Sequence, residues 1–470
     1  MTANPSARKQ VRNFVLIWAL ITLLMGACTF VAIYTAYGLI ELGIDEGVSL
    51  VASPTATLQS SEEGAVNFPT RPPTQIAPTA TATTAVVATQ ADPPTVEPTP
   101  TPVPTIAPTL LPVSDTRFQL GIQVQVSLDS DPNIWMTEAQ KLGMEWVKQQ
   151  IAWELVEPQR GQYEWTRVDA GIEAAADRGQ RLLVSVVAPP DWAREPGANL
   201  DRQGPPANYQ DYANFVAEIV RRHPGKIHAI EIWNEQNLDR EWTSVRGLVP
   251  ADYVNLLRLS YQAIKAVDPG VIVISGALSP TGFDDGIGAW DDFRYMDAMI
   301  VAGLLNYTDC VGAHHNGYNI PSTYSWDEVP NDPSAIFRGP FDNPHHSWSF
   351  RSTLQGYAFR IQQAGGTQKL CVTEFGWPSI EDLGQSRPNF EFAADNTLQE
   401  QSDWTIEAIN NMAEWDIVQI AIVWNLNYGA LAGWDVNNDN VAYSIIGKDF
   451  NFRPVYGALQ EWNREHRGVP

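Results

Sequence analysis

Ile230-Glu231-Ile232-Trp233-Asn234-Glu235-Gln236-Asn237 is an apolar run that closes on a glutamate, and Val372-Thr373-Glu374-Phe375-Gly376-Trp377 repeats the design further along the chain. Ile, Val and Trp favour strands. An acid that finishes such a strand is wasteful unless the strand end opens onto a place where something binds. Two of them suggest acid/base chemistry. Hydrolysis of a sugar acetal with retention needs one acid/base and one nucleophilic carboxylate facing each other across the bond.

Around these two segments the chain alternates strand and helix eight times. The strand candidates are 118–126, 146–153, 181–187, 227–233, 271–275, 310–314, 370–374 and 418–424. Between them Tyr212, Phe215, Val216, Ile219 and Val220 recur at helical spacing, as do Val254, Leu257, Tyr261 and Ile264. Such stripes belong to helices that cover one side of a sheet. Eight alternations over 114–470 predict a closed (β/α)8 TIM barrel. The competing open, doubly wound sheet has no Gly-x-Gly-x-x-Gly turn after any of these strands to support it. A barrel places its site at the C-terminal strand ends, where both glutamates fall. Side-chain alternation puts His314, Asn316 and Tyr318 on one side of the sixth strand end, and Glu231, Trp233 and Glu235 on one side of the fourth.

The front of the chain predicts a location. Residues 14–40 carry no charged side chain, which is long enough to cross a bilayer core of about 30 Å. Arg8, Lys9 and Arg12 precede the run and Glu41, Asp45 and Glu46 follow it, so the expected topology is a single-pass signal anchor in the cell membrane. Residues 1–13 are then a basic cytoplasmic tail and the rest is extracytoplasmic. Met25-Gly26-Ala27-Cys28 offers a weaker reading as a lipoprotein acylation site. Residues 41–113 are rich in Pro and Thr, with pairs such as Pro98-Thr99-Pro100-Thr101, and are expected to form a disordered, semi-rigid spacer.

The net charge of −24 argues against nucleic acid as a partner. Cys310 and Cys371 each sit in an apolar, strand-like segment, where small buried thiols are expected rather than a bridge. Neither Cys-x-x-Cys nor His-Glu-x-x-His occurs, so no metal site is expected. Asp435-Val436-Asn437-Asn438-Asp439 lacks the glycine and closing glutamate of a calcium loop and reads as an ordinary loop.

Trp233-Asn234-Glu235-Gln236-Asn237 and Thr373-Glu374-Phe375-Gly376-Trp377 resemble, in order, the acid/base and nucleophile signatures of the clan A glycoside hydrolases, retaining barrel enzymes that include cellulases, β-mannanases and β-xylosidases. The resemblance covers nearly all of the globular region. It implies hydrolysis of β-linked oligo- or polysaccharides by a monomeric catalytic domain without a cofactor, with Glu235 as acid/base and Glu374 as nucleophile. Asn234 matches the asparagine that bonds the sugar 2-hydroxyl, His314 a sixth-strand histidine, and Trp424 a sugar platform. Trp153, Trp192 and Trp377, also at strand ends, are further candidates for stacking. Two departures stand out. His314-His315-Asn316-Gly317-Tyr318 is longer than the His-x-Tyr usual at the sixth strand, leaving Tyr318 or Asn316 for the tyrosine's role, and Lys148 stands where the second strand often has arginine.

Glu231 is expected inside the barrel beside a basic partner, because a third free carboxylate is costly to bury. Glu235 is expected to have a raised pKa through the charge of Glu374. A non-catalytic carbohydrate-binding or sensing barrel and a transglycosylase remain the alternatives. The long loops 318–348 and 379–396 leave the sugar and the endo or exo mode open.

Overall fold

Arg181–Val187 reads Arg-Leu-Leu-Val-Ser-Val-Val, and every residue in it is buried, the mark of a parallel strand covered on both faces. The computed structural model describes residues 117–126, 131–385 and 387–467. Within them lie eight strands: β1 (Gln119–Gln123), β2 (Trp146–Ala152), β3 (Arg181–Val187), β4 (Ala229–Ile232), β5 (Ile272–Ser275), β6 (Val311–Asn316), β7 (Leu370–Gly376) and β8 (Val418–Val423). Each is followed by a long helix: α1 (Pro132–Lys141), α2 (Thr166–Ala176), α3 (Tyr209–Arg222), α4 (Pro250–Val267), α5 (Asp292–Val301), α6 (Phe350–Gln363), α7 (Leu398–Trp415) and α8 (Pro454–Arg467). All eight expected strands are present. The differences lie at their ends, with β6 and β7 each running two residues past the expected C-terminal end because they keep pairing, His315 with Phe375 and Asn316 with Gly376.

The sheet runs β5-β4-β3-β2-β1-β8-β7-β6, and parallel bridges Ile274 to Cys310 and Leu278 to Ala313 join its two edges. This gives a (β/α)8 barrel. Closure depends on Gly312: a Cβ there would lie 2.0 Å from the Ser275 carbonyl oxygen. The lower interior is filled by Trp146, Leu183, Ala229, Ile272, Ile274, Cys310, Cys371, Ile420 and Ile422. Above this apolar layer the inward positions turn polar, with Lys148, Ser185, Glu231 and Ser275 all fully buried.

The expected pair of buried thiols is corrected. Cys310 and Cys371 form a disulfide with their Cα atoms 5.7 Å apart. Adjacency of β6 and β7 brings the two cysteines within bridging range, a juxtaposition invisible along the chain.

Among the described residues no helix is long and apolar enough to cross a membrane. The expected span at 14–40 and the spacer at 41–113 lie outside the described residues. The loop expected at Asp435 is a turn followed by a 3-10 segment, Asp439–Tyr443.

Candidate active site

Strand β4 stops at Ile232 because the next residues leave extended geometry: Trp233 has φ of 79° and Glu235 of 46°. Left-handed backbone at non-glycine residues is strained and persists only where the surroundings enforce it. Here neighbouring side chains do so. Gln236 Nε2 donates to the Gly276 carbonyl at 2.8 Å, and Asn237 Nδ2 donates to the Ser279 and Trp290 carbonyls at 2.9 and 3.1 Å. Glu235 N donates to the Ala277 carbonyl at 2.9 Å. The turn carrying Glu235 is thus fastened to the loop after β5. Its sharpness also corrects the expected alternation, for Trp233 points outward to meet Trp242 and Tyr212, while Glu231 stays inside.

Strand β7 uses a different device. Ala313 pairs with Val372 but His314 pairs with Glu374, so Thr373 is an extra residue in the ladder. A bulge of this kind lets two successive side chains face the same way. Thr373 Oγ1 donates to Glu231 Oε1 at 2.6 Å, and Glu374 Oε1 lies 3.1 Å from Lys148 Nζ. Lys148 also lies 3.1 Å from Glu231 Oε2, which is the basic partner expected for that buried acid. Burial by itself would lower the Lys148 pKa, yet Glu231 and Glu374 together raise it above the ordinary lysine value.

His314 ties the two strand-end glutamates together. Its Nδ1 is 3.2 Å from Glu235 Oε1 and 3.8 Å from Glu374 Oε2. Those two oxygens therefore lie no more than about 7 Å apart, which accommodates the roughly 5–5.5 Å of a retaining carboxylate pair. Burial disfavours the imidazolium, but the charge of Glu374 and the hydrogen bond that His314 gives to Glu235 outweigh it and raise the His314 pKa.

The expectation of a raised Glu235 pKa is reversed. Burial does push it up, but the His314 hydrogen bond and the Arg240 charge overcome this and hold it at about 2. Arg240 Nη2 is 3.0 Å from Glu235 Oε2, and its Nε is 3.5 Å from Glu241 Oε1. The raised carboxyl in this cluster is Glu241, pushed by burial to about 7 against the pull of Arg240, with Glu235 and Glu374 adding to the rise.

The remaining candidates divide. Tyr318 and Asn316 line a narrow cavity of about 60 Å³ together with Glu235, His314, Ser279 and Ser347. Asn234 is partly exposed beside Glu235. Trp424 directly follows β8 and sits in an aromatic cluster with Phe390, Tyr428 and Tyr443. Its indole Nε1, the Asn316 Oδ1 and the His314 Nε2 are buried without a hydrogen-bond partner among the described residues. Such orphaned groups call for an explanation, and a polyhydroxylated ligand would supply one.

Trp153 and Trp377 are corrected as stacking platforms. Trp153 opens a one-turn helix after β2, stacks on Phe215 at 5.2 Å and donates to Glu157. Trp377 packs against Phe350 and donates to the Ile320 carbonyl at 2.8 Å. Trp192 meets Trp153 edge-on and donates to the Glu157 carbonyl. Each ring is held by core partners, so a strand-end position did not bring it to the mouth. Arg240, Glu241 and Ser347 escaped sequence reasoning because they lie on loops with no pattern of their own.

No protein-family model matches the chain, and no curated protein matches it in sequence. Solved structures do match its fold. A family 39 glycoside hydrolase from the gut symbiont Bacteroides cellulosilyticus WH2 superposes with a TM-score of 0.52 at 18% identity, over 76% of this chain and 65% of that one. A monomeric β-xylosidase from Caulobacter crescentus CB15 gives 0.50 at 16% identity, over 75% and 69%. A glucosidase from Croceicoccus marinus gives 0.51 at 13%, over 75% and 68%. The chain thus spans 65% of the length of the first of these, and it has the barrel fold that such glycoside hydrolases share.

Proposed function

We propose that this chain is a retaining O-glycosyl hydrolase acting on β-linked glycans. The observation that carries the reading is the convergence of Glu235 and Glu374 on His314 at the C-terminal end of the barrel, with Lys148 beneath Glu374. Glu374 attacks the anomeric carbon and displaces the leaving oxygen, forming a glycosyl ester. Glu235 gives that oxygen a proton, then takes one from the water that opens the ester. Lys148 holds Glu374 in place from 3.1 Å away.

Glu235 must first acquire a proton, and its neighbours explain the source. The hydrogen bond to His314 is a path along which the imidazolium proton can pass to Glu235 once Arg240 releases the carboxylate. Arg240 is 44% exposed in its side chain, so an incoming sugar can displace it toward Glu241. Burial and the charge of Glu374 then favour protonated Glu235. The unpaired Trp424, Asn316 and His314 groups are suited to sugar hydroxyls, with Asn234 beside the acid in reach of the 2-hydroxyl. The named glucosidase and β-xylosidase relatives are consistent with glucose or xylose, and mannose polymers stay open.

The anchor at 14–40 and the spacer at 41–113 would hold the barrel outside the cell membrane. The Cys310–Cys371 disulfide supports that placement, since such bonds persist in oxidising compartments.

One observation favours the non-catalytic reading: a Glu235 locked as a carboxylate by Arg240 is a binding group rather than an acid. The test separates them. Full-length protein is assayed for nitrophenol release from aryl β-glycosides and labelled with the matching 2-fluoro glycosides. Turnover that Glu374→Gln abolishes, with the label on Glu374, supports the hydrolase. Glycan binding with no turnover or labelling across the panel transfers the site to the binding reading.

A further inference from the structure

Away from the glutamate pair, one aspartate doublet, Asp291-Asp292 at the start of α5, and one histidine doublet, His345-His346 before α6, lie far apart in the sequence. Folding sets them against each other. One ligand atom from each of Asp291, His345 and His346 falls within 4.8 Å of the other two. His345 Nε2 is 3.5 Å and His346 Nε2 3.9 Å from Asp291 Oδ2, and His346 Nε2 is 2.9 Å from Asp292 Oδ1. These spacings match those between ligands of one small cation. Asp292 is fully buried and rigidly held, since its Oδ1 also accepts from Thr281 N and its Oδ2 from Tyr357 Oη. The His346 ring lies flat on Phe293, 3.5 Å between centroids.

From this we propose a zinc-class divalent transition-metal site formed by Asp291, His345, His346 and Asp292. Two imidazoles with carboxylate oxygens form a donor set that zinc accepts, and imidazole disfavours magnesium and calcium, which prefer all-oxygen shells. The ring chemistry balances. Coordination through Nε2 places the proton of each neutral ring on Nδ1, and at His345, where Nδ1 here accepts from Ser347 N at 3.2 Å, the Ser347 hydroxyl 2.9 Å away is the oxygen that proton would turn to. A ligating histidine whose other nitrogen donates to a fixed oxygen is the usual outer support of such sites.

The site joins two loops that form one wall of the Glu235 cavity. Ser279 and Pro280 come from the loop after β5, and Ser347 follows the two histidines directly. A cation here would pin that wall without touching the reacting atoms.

Full-length protein without a histidine tag, stripped with EDTA, is titrated with Zn²⁺ by calorimetry and with Co²⁺ by visible absorption. One equivalent is expected to bind, with the intense visible bands of a four-coordinate cobalt site. His345→Gln and Asp291→Asn are each expected to weaken binding at least about tenfold. Asparagine keeps the cap that Asp291 gives to the Arg294 amide, so the second variant isolates ligation from folding. Absence of saturable zinc binding up to about 0.1 mM, or unchanged affinity in either folded variant, overturns the proposal.

Discussion

Lys148 on β2 and Glu374 on β7 bring their charges within 3.1 Å across two intervening strands, with the lysine side chain fully buried. The same ammonium serves Glu231. Replacing Lys148 with methionine leaves two buried carboxylates facing each other, and removing one partner of a buried ion pair typically costs about 3–5 kcal/mol. Lys148→Met is expected to lower the urea midpoint accordingly and to remove turnover. A variant as stable as the parent would contradict the geometry.

Arg240 governs the protonation of Glu235. Glu235 has a depressed folded pKa, about 2, so its ionised pairing stabilises the fold above the unfolded carboxylate value and that contribution fades as pH falls toward 2. Arg240→Gln removes a cation whose effect on an adjacent acid is about one pH unit or more. The basic limb of the kcat/KM profile, set by Glu235 as the acid, is expected to move upward. In parallel, the Tm gap between parent and variant should narrow as pH falls below the ordinary carboxylate range toward about 2. A pH profile identical to that of the parent would exclude Arg240 from this role.

Glu241 acts in the opposite sense. Its folded pKa, raised to about 7, means that the native state binds more protons than the unfolded chain between the two pKa values. Stability is therefore lost as pH rises from the ordinary glutamate range to about 7. Glu241→Gln should abolish that loss, leaving the variant more stable than the parent at pH 7 by on the order of 1–3 kcal/mol. Thermal unfolding of both proteins from pH 4 to pH 8 measures it.

The disulfide closes a loop of 61 residues. Chain-entropy reasoning assigns roughly 2–5 kcal/mol to such a bond. Cys310→Ala/Cys371→Ala should unfold at lower urea with the far-UV spectrum of the barrel retained, and reductant should reproduce the loss only after the parent is unfolded, since both sulfurs are in the core.

Much of this was legible in the chain. Strand β3 was read to the residue because a continuous buried run leaves no ambiguity of period. Glu235 and Glu374 announced themselves as acids at the ends of apolar strands, and the barrel follows from eight repeats of one pattern. What sequence concealed was direction and proximity. Trp233, Trp153 and Trp377 were misjudged because a left-handed turn or a core hydrogen bond decides where an indole points, and neither leaves a trace in composition. Arg240, the disulfide and the facing Asp and His doublets depend on which loops meet, a property of the closed barrel rather than of any segment.

The two glutamates are mounted differently. Glu374 belongs to a central strand gripped on both sides by β6 and β8, whereas Glu235 rides on a turn fastened chiefly by the amides of Gln236 and Asn237. Heating loosens such a turn before it loosens the sheet. Thermal inactivation would then begin on the acid side, while the nucleophile is still in place and the barrel still folded, and temperature adaptation of this scaffold would be written in the loops after β4 and β5.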